Sequence, residues 1–266
     1  MMNISFDNTL TAFAYKSDKE LKQSKFLFST MDYPLFVPIG TRLTPFLMKT
    51  GLPINGIIRN TIFKQFVGGE TLEETATVAK TLGKYGVQII LDYGVEGKQG
   101  EENFEHATEQ FIKVIRYAAT QNNIPFISIK VTGFARFDLL KTLNEAPRLR
   151  SGIHDHEEEQ KEWDRVCERM FRICEVAEEL NIGVLIDAEE SWIQDPVDRL
   201  VMEMMEEFNT EKAIVYNTIQ LYRQDRLNFL KLSHKIAKQR GFILGLKLVR
   251  GAYMEKEAAR ANQLGY

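Results

Sequence analysis

Apolar residues follow two rhythms along the chain. Short, nearly continuous β-branched runs predict strands over Val87–Asp92, Phe126–Thr132, Ile182–Ala188, Ala213–Ile219 and Phe242–Val249. Parallel strands covered on both faces read this way. Between them, apolar positions recur at helical spacing over Glu101–Gln121, Glu157–Leu180, Pro196–Phe208 and Gln224–Gln239. Thr71 and Glu74 form a capping-box pattern before a helix over Leu72–Lys84, with Gly86 at its exit. Asp195-Pro196 reads as an N-cap followed by a first-turn proline, and Gly241 closes a helix with a basic tail. Strand–helix alternation implies parallel strands joined by right-handed crossovers.

The segment Met1–Gly69 is mostly helical by pattern, with turns at Pro34, Pro38 and Gly51–Pro53. It is expected to form a helical arm (residues 1–69) in front of an α/β domain (residues 70–266). Asn144–Glu157 is polar and turn-rich, as an excursion above one face would be.

Composition narrows the function classes. The 34 basic and 37 acidic residues nearly cancel, so no nucleic-acid partner is expected. No apolar run approaches the ~18 residues of a membrane span. Met1 to Phe36 has no apolar signal core, and Asp7, Asp18 and Glu20 argue against a mitochondrial presequence. A cytoplasmic protein is expected. Cys167 and Cys174 sit seven apart in one helix, ~10 Å along its axis, too far for a disulfide. Reduced, buried thiols are expected.

Candidate chemistry concentrates at the C-terminal strand ends, where (β/α)8 enzymes place their sites. The first strand ends in Asp92-Tyr93-Gly94. The second carries Lys130, and an ammonium inside a strand needs an anion or a route to solvent. The third ends in Asp187-Ala188-Glu189-Glu190. The fourth leads into Gln220 and Tyr222. The fifth, within Gly245–Lys256, carries Lys247 and Arg250 ahead of Gly251-Ala252-Tyr253. Strand alternation puts Lys247 and Val249 on one face and Leu248 and Arg250 on the other. Each residue has a plainer role open to it: Asp187 as a helix cap, Arg250 as a surface residue at a turn. Together, five strands with polar groups at one edge point to a ligand. His154-Asp155-His156-Glu157 reads as a polar loop opening a helix, not a metal site. Met202, Met204 and Met205 read as an apolar helix face. Gly68-Gly69 reads as a plain loop.

The strand-five segment Leu246-Lys247-Leu248-Val249-Arg250-Gly251-Ala252-Tyr253 resembles the signature of proline dehydrogenases, flavin enzymes on a (β/α)8 TIM-type barrel. The Lys130 strand, Asp187-Ala188-Glu189-Glu190 and Tyr216–Tyr222 follow in that family's order, so the resemblance covers roughly Gly68 to Tyr266. It implies FAD across the barrel mouth, hydride transfer from L-proline to the flavin, 1-pyrroline-5-carboxylate as product, and a quinone electron acceptor at a membrane. Carried over by position, Lys130 would bind the substrate carboxylate and Asp187 would orient a substrate-binding arginine. Ala188 and Gln220 would line the flavin, and Lys247 would sit at its N5/O4 edge. Arg250-Gly251-Ala252 would hold the ribityl and phosphate portion, and Tyr253 would border the substrate.

Five strands leave such a barrel three strand–helix units short, roughly 100 residues or more. The chain is therefore expected to be the front part of a barrel, inactive alone, although an open α/β sheet also fits the alternation. Two other functions compete: a Schiff-base aldolase with Lys130 as nucleophile, and a truncated, non-catalytic barrel.

Overall fold

The computed structural model describes residues 5–33, 40, 55–94, 99–145 and 157–265. The chain divides into two compact units, 1–88 and 89–266. The expected boundary after Gly69 and the observed one after Gln88 differ by the capped helix Leu72–Gly83, which groups with the N-terminal unit. The expected turns at Pro34, Pro38 and Gly51–Pro53, and most of the polar stretch before Glu157, lie outside the described residues.

In the N-terminal unit, α1 (Asp18–Met31) opens with a reciprocal capping box between Ser17 and Glu20. The Ser17 N–H and hydroxyl, with the Lys64 ammonium 3.0 Å away, hold the Glu20 carboxyl down at about 2. A helical run over 55–66 follows and includes a π turn at Arg59–Phe63. At α2 (Leu72–Gly83) the Thr71 hydroxyl accepts from the Glu74 N–H at 3.3 Å. The Glu74 carboxylate accepts from the Glu70 N–H instead of returning to Thr71, so the expected box is only half made. Gly86 has φ +71°, the left-handed exit its position suggested.

The second unit is built on five parallel strands: β1 (Ile90–Asp92), β2 (Phe126–Ile129), β3 (Gly183–Ile186), β4 (Val215–Gln220) and β5 (Leu246–Val249). They lie in the order β1-β2-β3-β4-β5. A doubly wound open sheet reverses its order at a switch point; this winding never reverses, as in a (β/α)8 barrel. Helices α3 (Glu101–Ala119), α4 (Phe137–Glu145), α5 (Glu157–Glu179), α6 (Gln194–Phe208), α7 (Arg226–Arg240) and α8 (Met254–Leu264) connect or follow the strands, with α4 and α5 both between β2 and β3. The core forms where Ile127, Ile129, Val184 and Ile186 meet α3, α5 and α6 through Phe111, Ile115, Met170, Ile173, Leu200 and Met205, all buried. Arg169 and Arg172 on α5 tie it to Glu101, Glu105 and Glu109 along α3.

The strands are shorter than their apolar runs, for a specific reason. Buried Asn209 accepts from the Ile214 and Val215 N–H groups at 2.8 Å each and donates to the Val215 and Ile243 carbonyls. One side chain thus replaces the ladder at the base of β4 and β5. At the other end, the Lys130 carbonyl accepts from the Gly133 N–H and starts a 3-10 turn over Val131–Gly133. Lys130 therefore lies just past β2, not inside it. The expected cap at Asp195 also differs: α6 begins at Gln194, and the Asp195 N–H donates to Asn144 Oδ1 on α4 at 2.9 Å. Helix α4 was not foreseen.

Inside the base of the sheet, large and small residues alternate from strand to strand. Phe126 and Tyr216 stand edge to face at 5.5 Å with Gly183 between them. A Cβ on Gly183 would overlap the Phe126 ring, and one on Gly245 would overlap the Val215 carbonyl.

Candidate active site at the strand ends

Period-two alternation turns Ser128, Asp187, Thr218, Gln220 and Lys247 toward one face of the sheet. Lys247, on β5, reaches past β4: its ammonium hydrogen-bonds Asp187 Oδ1 and lies 3.5 Å from the Ser128 hydroxyl. Ser128 donates to Asp187 Oδ1 at 2.8 Å. Lys130 Nζ stands 3.9 Å from both Asp187 Oδ2 and Asp92 Oδ2. Two ammonium groups and two carboxylates from β1, β2, β3 and β5 thus meet in one half-buried cluster. Lys130 is thus ion-paired with carboxylates on two sides, whereas a Schiff-base lysine needs a free amine.

A second cluster surrounds Glu189, which is buried beyond the end of β3. Thr132 Oγ1 lies 2.8 and 2.9 Å from its two carboxylate oxygens, and the Tyr253 hydroxyl reaches it at 3.4 Å. Burial, reinforced by neighbouring Glu190, pushes the Glu189 carboxyl up to about 7 against the pull of Thr132 and Lys130. Burial and the facing Glu189 and Glu190 carboxylates also raise the Tyr253 phenol. Gln220 is 1% exposed. Its Nε2 donates to the Glu189 carbonyl at 2.9 Å, while its Oε1 is buried without a partner.

Beyond β5, Arg250 is exposed, Gly251 takes φ +116°, and Ala252 is exposed. The Tyr222 ring fills the space where a Gly251 Cβ would go. Helix α8 docks on the loop after β3: Glu257 accepts from the Ser191 N–H and hydroxyl, Lys256 pairs with Glu190, and Arg260 stacks over Trp192. Ala188 is half-buried beside this loop.

The structure therefore brings Lys130, Asp187 and Lys247 together, and places Tyr253 and Gln220 around Glu189. Arg250 stands apart, with no ion pair among the described residues. Asp187, expected to orient an arginine, holds two lysines in this chain. Sequence reasoning assigned no role to Ser128, Thr132 or Glu189. The available signal was spacing: Ser128, Lys130 and Thr132 are two residues apart, as are Asp187 and Glu189.

Cys167 is half-buried and Cys174 buried, both as free thiols. Burial, with Glu203 and Asp164 nearby, pushes the Cys167 thiol up to about 12. Met204 and Met205 are buried on α6. Among the described residues no group of three or more His, Cys, Asp or Glu side chains is arranged to hold a metal ion. The pair His154 and His156 lies outside them. No described helix is long and apolar enough to cross a membrane.

A singly wound, five-stranded parallel sheet thus gathers cations and carboxylates at its C-terminal strand ends, the edge where (β/α)8 barrels place their ligand sites. Residues 75–266 match the proline dehydrogenase family model. The chain belongs to the proline dehydrogenase family. It is 35% identical over 217 residues to the carbapenem antibiotics biosynthesis protein CarD of Pectobacterium carotovorum subsp. carotovorum, covering 81% of this chain and 56% of that protein. It is 31% identical over 251 residues to the mitochondrial proline dehydrogenase 1 of Dictyostelium discoideum, covering 81% of this chain and 44% of that protein. The hydroxyproline dehydrogenase of Xenopus laevis is 26% identical, covering 96% of this chain and 60% of its own length. The chain thus spans about half the length of the curated relatives it matches. Proline utilization A from Bdellovibrio bacteriovorus has the same fold, with a TM-score of 0.64 at 17% identity over 100% of this chain and 29% of that one.

Proposed function

We propose that this chain contributes to the oxidation of L-proline to 1-pyrroline-5-carboxylate, with FAD accepting the hydride and a quinone taking the electrons onward. The observation that carries this reading is the Lys130–Asp187–Lys247 cluster at the strand ends of a proline dehydrogenase family chain. The chain's own residues suit a flavin. Gln220 Oε1 is a buried acceptor without a partner, Arg250 is an exposed guanidinium suited to a bidentate phosphate contact, and Lys247 supplies positive charge.

FAD, when bound, supplies the hydride-accepting ring. Lys130 binds the amino-acid carboxylate, exchanging its 3.9 Å carboxylate neighbours for a substrate anion. Asp187 and Ser128 hold the Lys247 ammonium in place, so that negative charge developing during hydride transfer meets a pre-oriented cation. Arg250 and the Gly251-Ala252 backbone would hold the cofactor's ribityl and phosphate portion, and Ala188 would line its ring. Tyr253 borders the substrate, fixed from behind by Glu189. Contact with a membrane surface would bring the quinone to the site.

The test is an absorbance spectrum of the purified gene product, taken before and after anaerobic addition of L-proline. A flavin band near ~450 nm that bleaches supports the proposal. A band that ignores proline and bleaches with 4-hydroxyproline transfers the site to that substrate, in keeping with the name of the Xenopus relative. A folded protein without a flavin band overturns it.

A further inference from the structure

Helix α8 starts without a cap of its own. Its N-cap position is Tyr253, whose side chain makes no bond to the helix N–H groups. Ser, Thr, Asp or Asn would fix a helix start locally; an aromatic residue does not. The grip is tertiary instead. Glu257, in the first turn, accepts from the Ser191 N–H at 2.7 Å and from the Ser191 hydroxyl at 2.8 Å, one on each carboxylate oxygen. Its own N–H donates to the Tyr253 carbonyl at 2.9 Å. Lys256 bonds buried Glu190 and holds its ammonium 5.1 Å from the centre of the Tyr253 ring. One turn further on, the Arg260 guanidinium lies 4.5 Å from the Trp192 ring. Three consecutive loop residues, Glu190, Ser191 and Trp192, are thus taken by α8.

Tyr253 depends on this grip. Its hydroxyl reaches Glu189 at 3.4 Å, long against the ~2.7–2.8 Å usual for an O–H···O bond. A bond so stretched does little to hold a half-buried ring. The Lys256 side chain is 64% exposed, and a cation over a ring is weak at an exposed site. The Ser191–Glu257 pair is the strong member, because one carboxylate takes two charge-assisted bonds. Negative charge in the first turn of a helix adds to it. Ser191 lies two residues past Glu189, so this pair sets the separation between Glu189 and the segment that carries the phenol. Without Glu257 the uncapped turn is free to fray and take Tyr253 with it.

We infer that Glu257 is a positioning residue: by holding both donors of Ser191 it fixes the first turn of α8, and with it Tyr253, against Glu189 on the loop after β3. The inference deepens the proposed function, on which its substrate arm rests, because Tyr253 borders the amino acid there.

The primary test needs no ligand. The purified gene product is labelled with fluorotyrosine, and the ¹⁹F lines of Tyr253 and Tyr216 are assigned from their Phe variants. Tyr216, packed on Phe126 at the sheet base, reports on the fold. Glu257→Ala should move the Tyr253 line toward the position of free fluorotyrosine and leave the Tyr216 line in place. Ser191→Ala keeps the backbone N–H bond and should move the Tyr253 line the same way by less. Glu257→Gln should keep the parental line, because an amide accepts from the Ser191 N–H and donates to the hydroxyl. An unmoved Tyr253 line in Glu257→Ala overturns the inference. Equal displacement of Tyr216 also overturns it, since Glu257 would then only stabilise the fold. Should Glu257→Ala fail to fold, Ser191→Ala decides on the same two lines.

A second arm measures proline oxidation. Glu257→Ala should raise KM for L-proline about fivefold, the loss expected for one hydrogen bond, with kcat within about twofold of the parent. In a Tyr253→Ala background the same change should add nothing; additive losses overturn the substrate part. A parent that oxidises no proline counts against the proposed function, and the fluorine spectrum then decides the positioning on its own.

Discussion

Lys247 on β5 and Asp187 beyond β3 hydrogen-bond across β4, although sixty residues of chain separate them. The ammonium is therefore held by a strand that is not its neighbour. Ser128 shares the same carboxylate oxygen from β2. Asp187→Asn keeps the shape and removes the charge that holds Lys247. Turnover with proline should fall by about ten- to a hundredfold, as when a pre-oriented electrostatic partner is lost. Stability should change by about 1 kcal/mol at most, because both side chains are partly solvated. Normal kcat/KM in the variant would detach this pair from the chemistry.

Lys130 lies between Asp92 and Asp187 at 3.9 Å from each, close enough for attraction and long for a tight pair. Lys130→Ala should raise KM for proline about tenfold or more while leaving FAD bound and its spectrum unchanged. Loss of flavin with an ordinary KM in the remaining holoenzyme would contradict the assignment.

Glu189 gives a pH signature. Its folded carboxyl titrates at about 7, above its unfolded range, so the folded state holds a proton the unfolded state has released. The contribution is fully present below about pH 4 and is lost as pH rises through about 7. The parent should therefore lose up to about 3 kcal/mol between those limits. Glu189→Gln should flatten the slope and leave the variant more stable than the parent at pH 8. Identical denaturation midpoints for both proteins across pH 5 to 8 would refute this.

Gly183 has no room for a methyl group, because its neighbour on β2 occupies the space. Gly183→Ala should cost about 1–3 kcal/mol by overpacking. Adding Phe126→Leu should recover part of the loss, since the two changes share one contact. Additive destabilisation in urea would show that the methyl is accommodated elsewhere.

Much of the fold was legible because both hydrophobic periods are strong. The β2 and β3 runs alternate with the amphipathic α3 and α5, and the winding order follows. What escaped is tertiary. Asn209 trims two strands with side-chain bonds that no propensity reports. Asn144, not Asp195, supplies the cap at α6, and α4 is brief. At the strand ends, the sequence singled out Lys130, Asp187, Gln220 and Lys247, and the structure gathers Lys130, Asp187 and Lys247 into one cluster. The sequence could not pair Lys247 with Asp187 across an intervening strand; the arginine partner expected for that carboxylate came from the family resemblance alone. Glu189 escaped for a related reason: an acidic pair after a strand reads as solvated until Thr132 and Tyr253 are seen to enclose one member.

The alternation of bulk at the sheet base and the charge cluster at its top have opposite histories during synthesis. Phe126, Gly183 and Tyr216 are complete once β4 leaves the ribosome. Asp187 must wait for the fifth strand to bring its second ammonium. A nascent chain released before Leu246 should therefore carry a packed floor beneath a rim where Lys130 alone faces the Asp92 and Asp187 carboxylates, an acidic early state that polyamines or magnesium would shield until Lys247 completes the pairing.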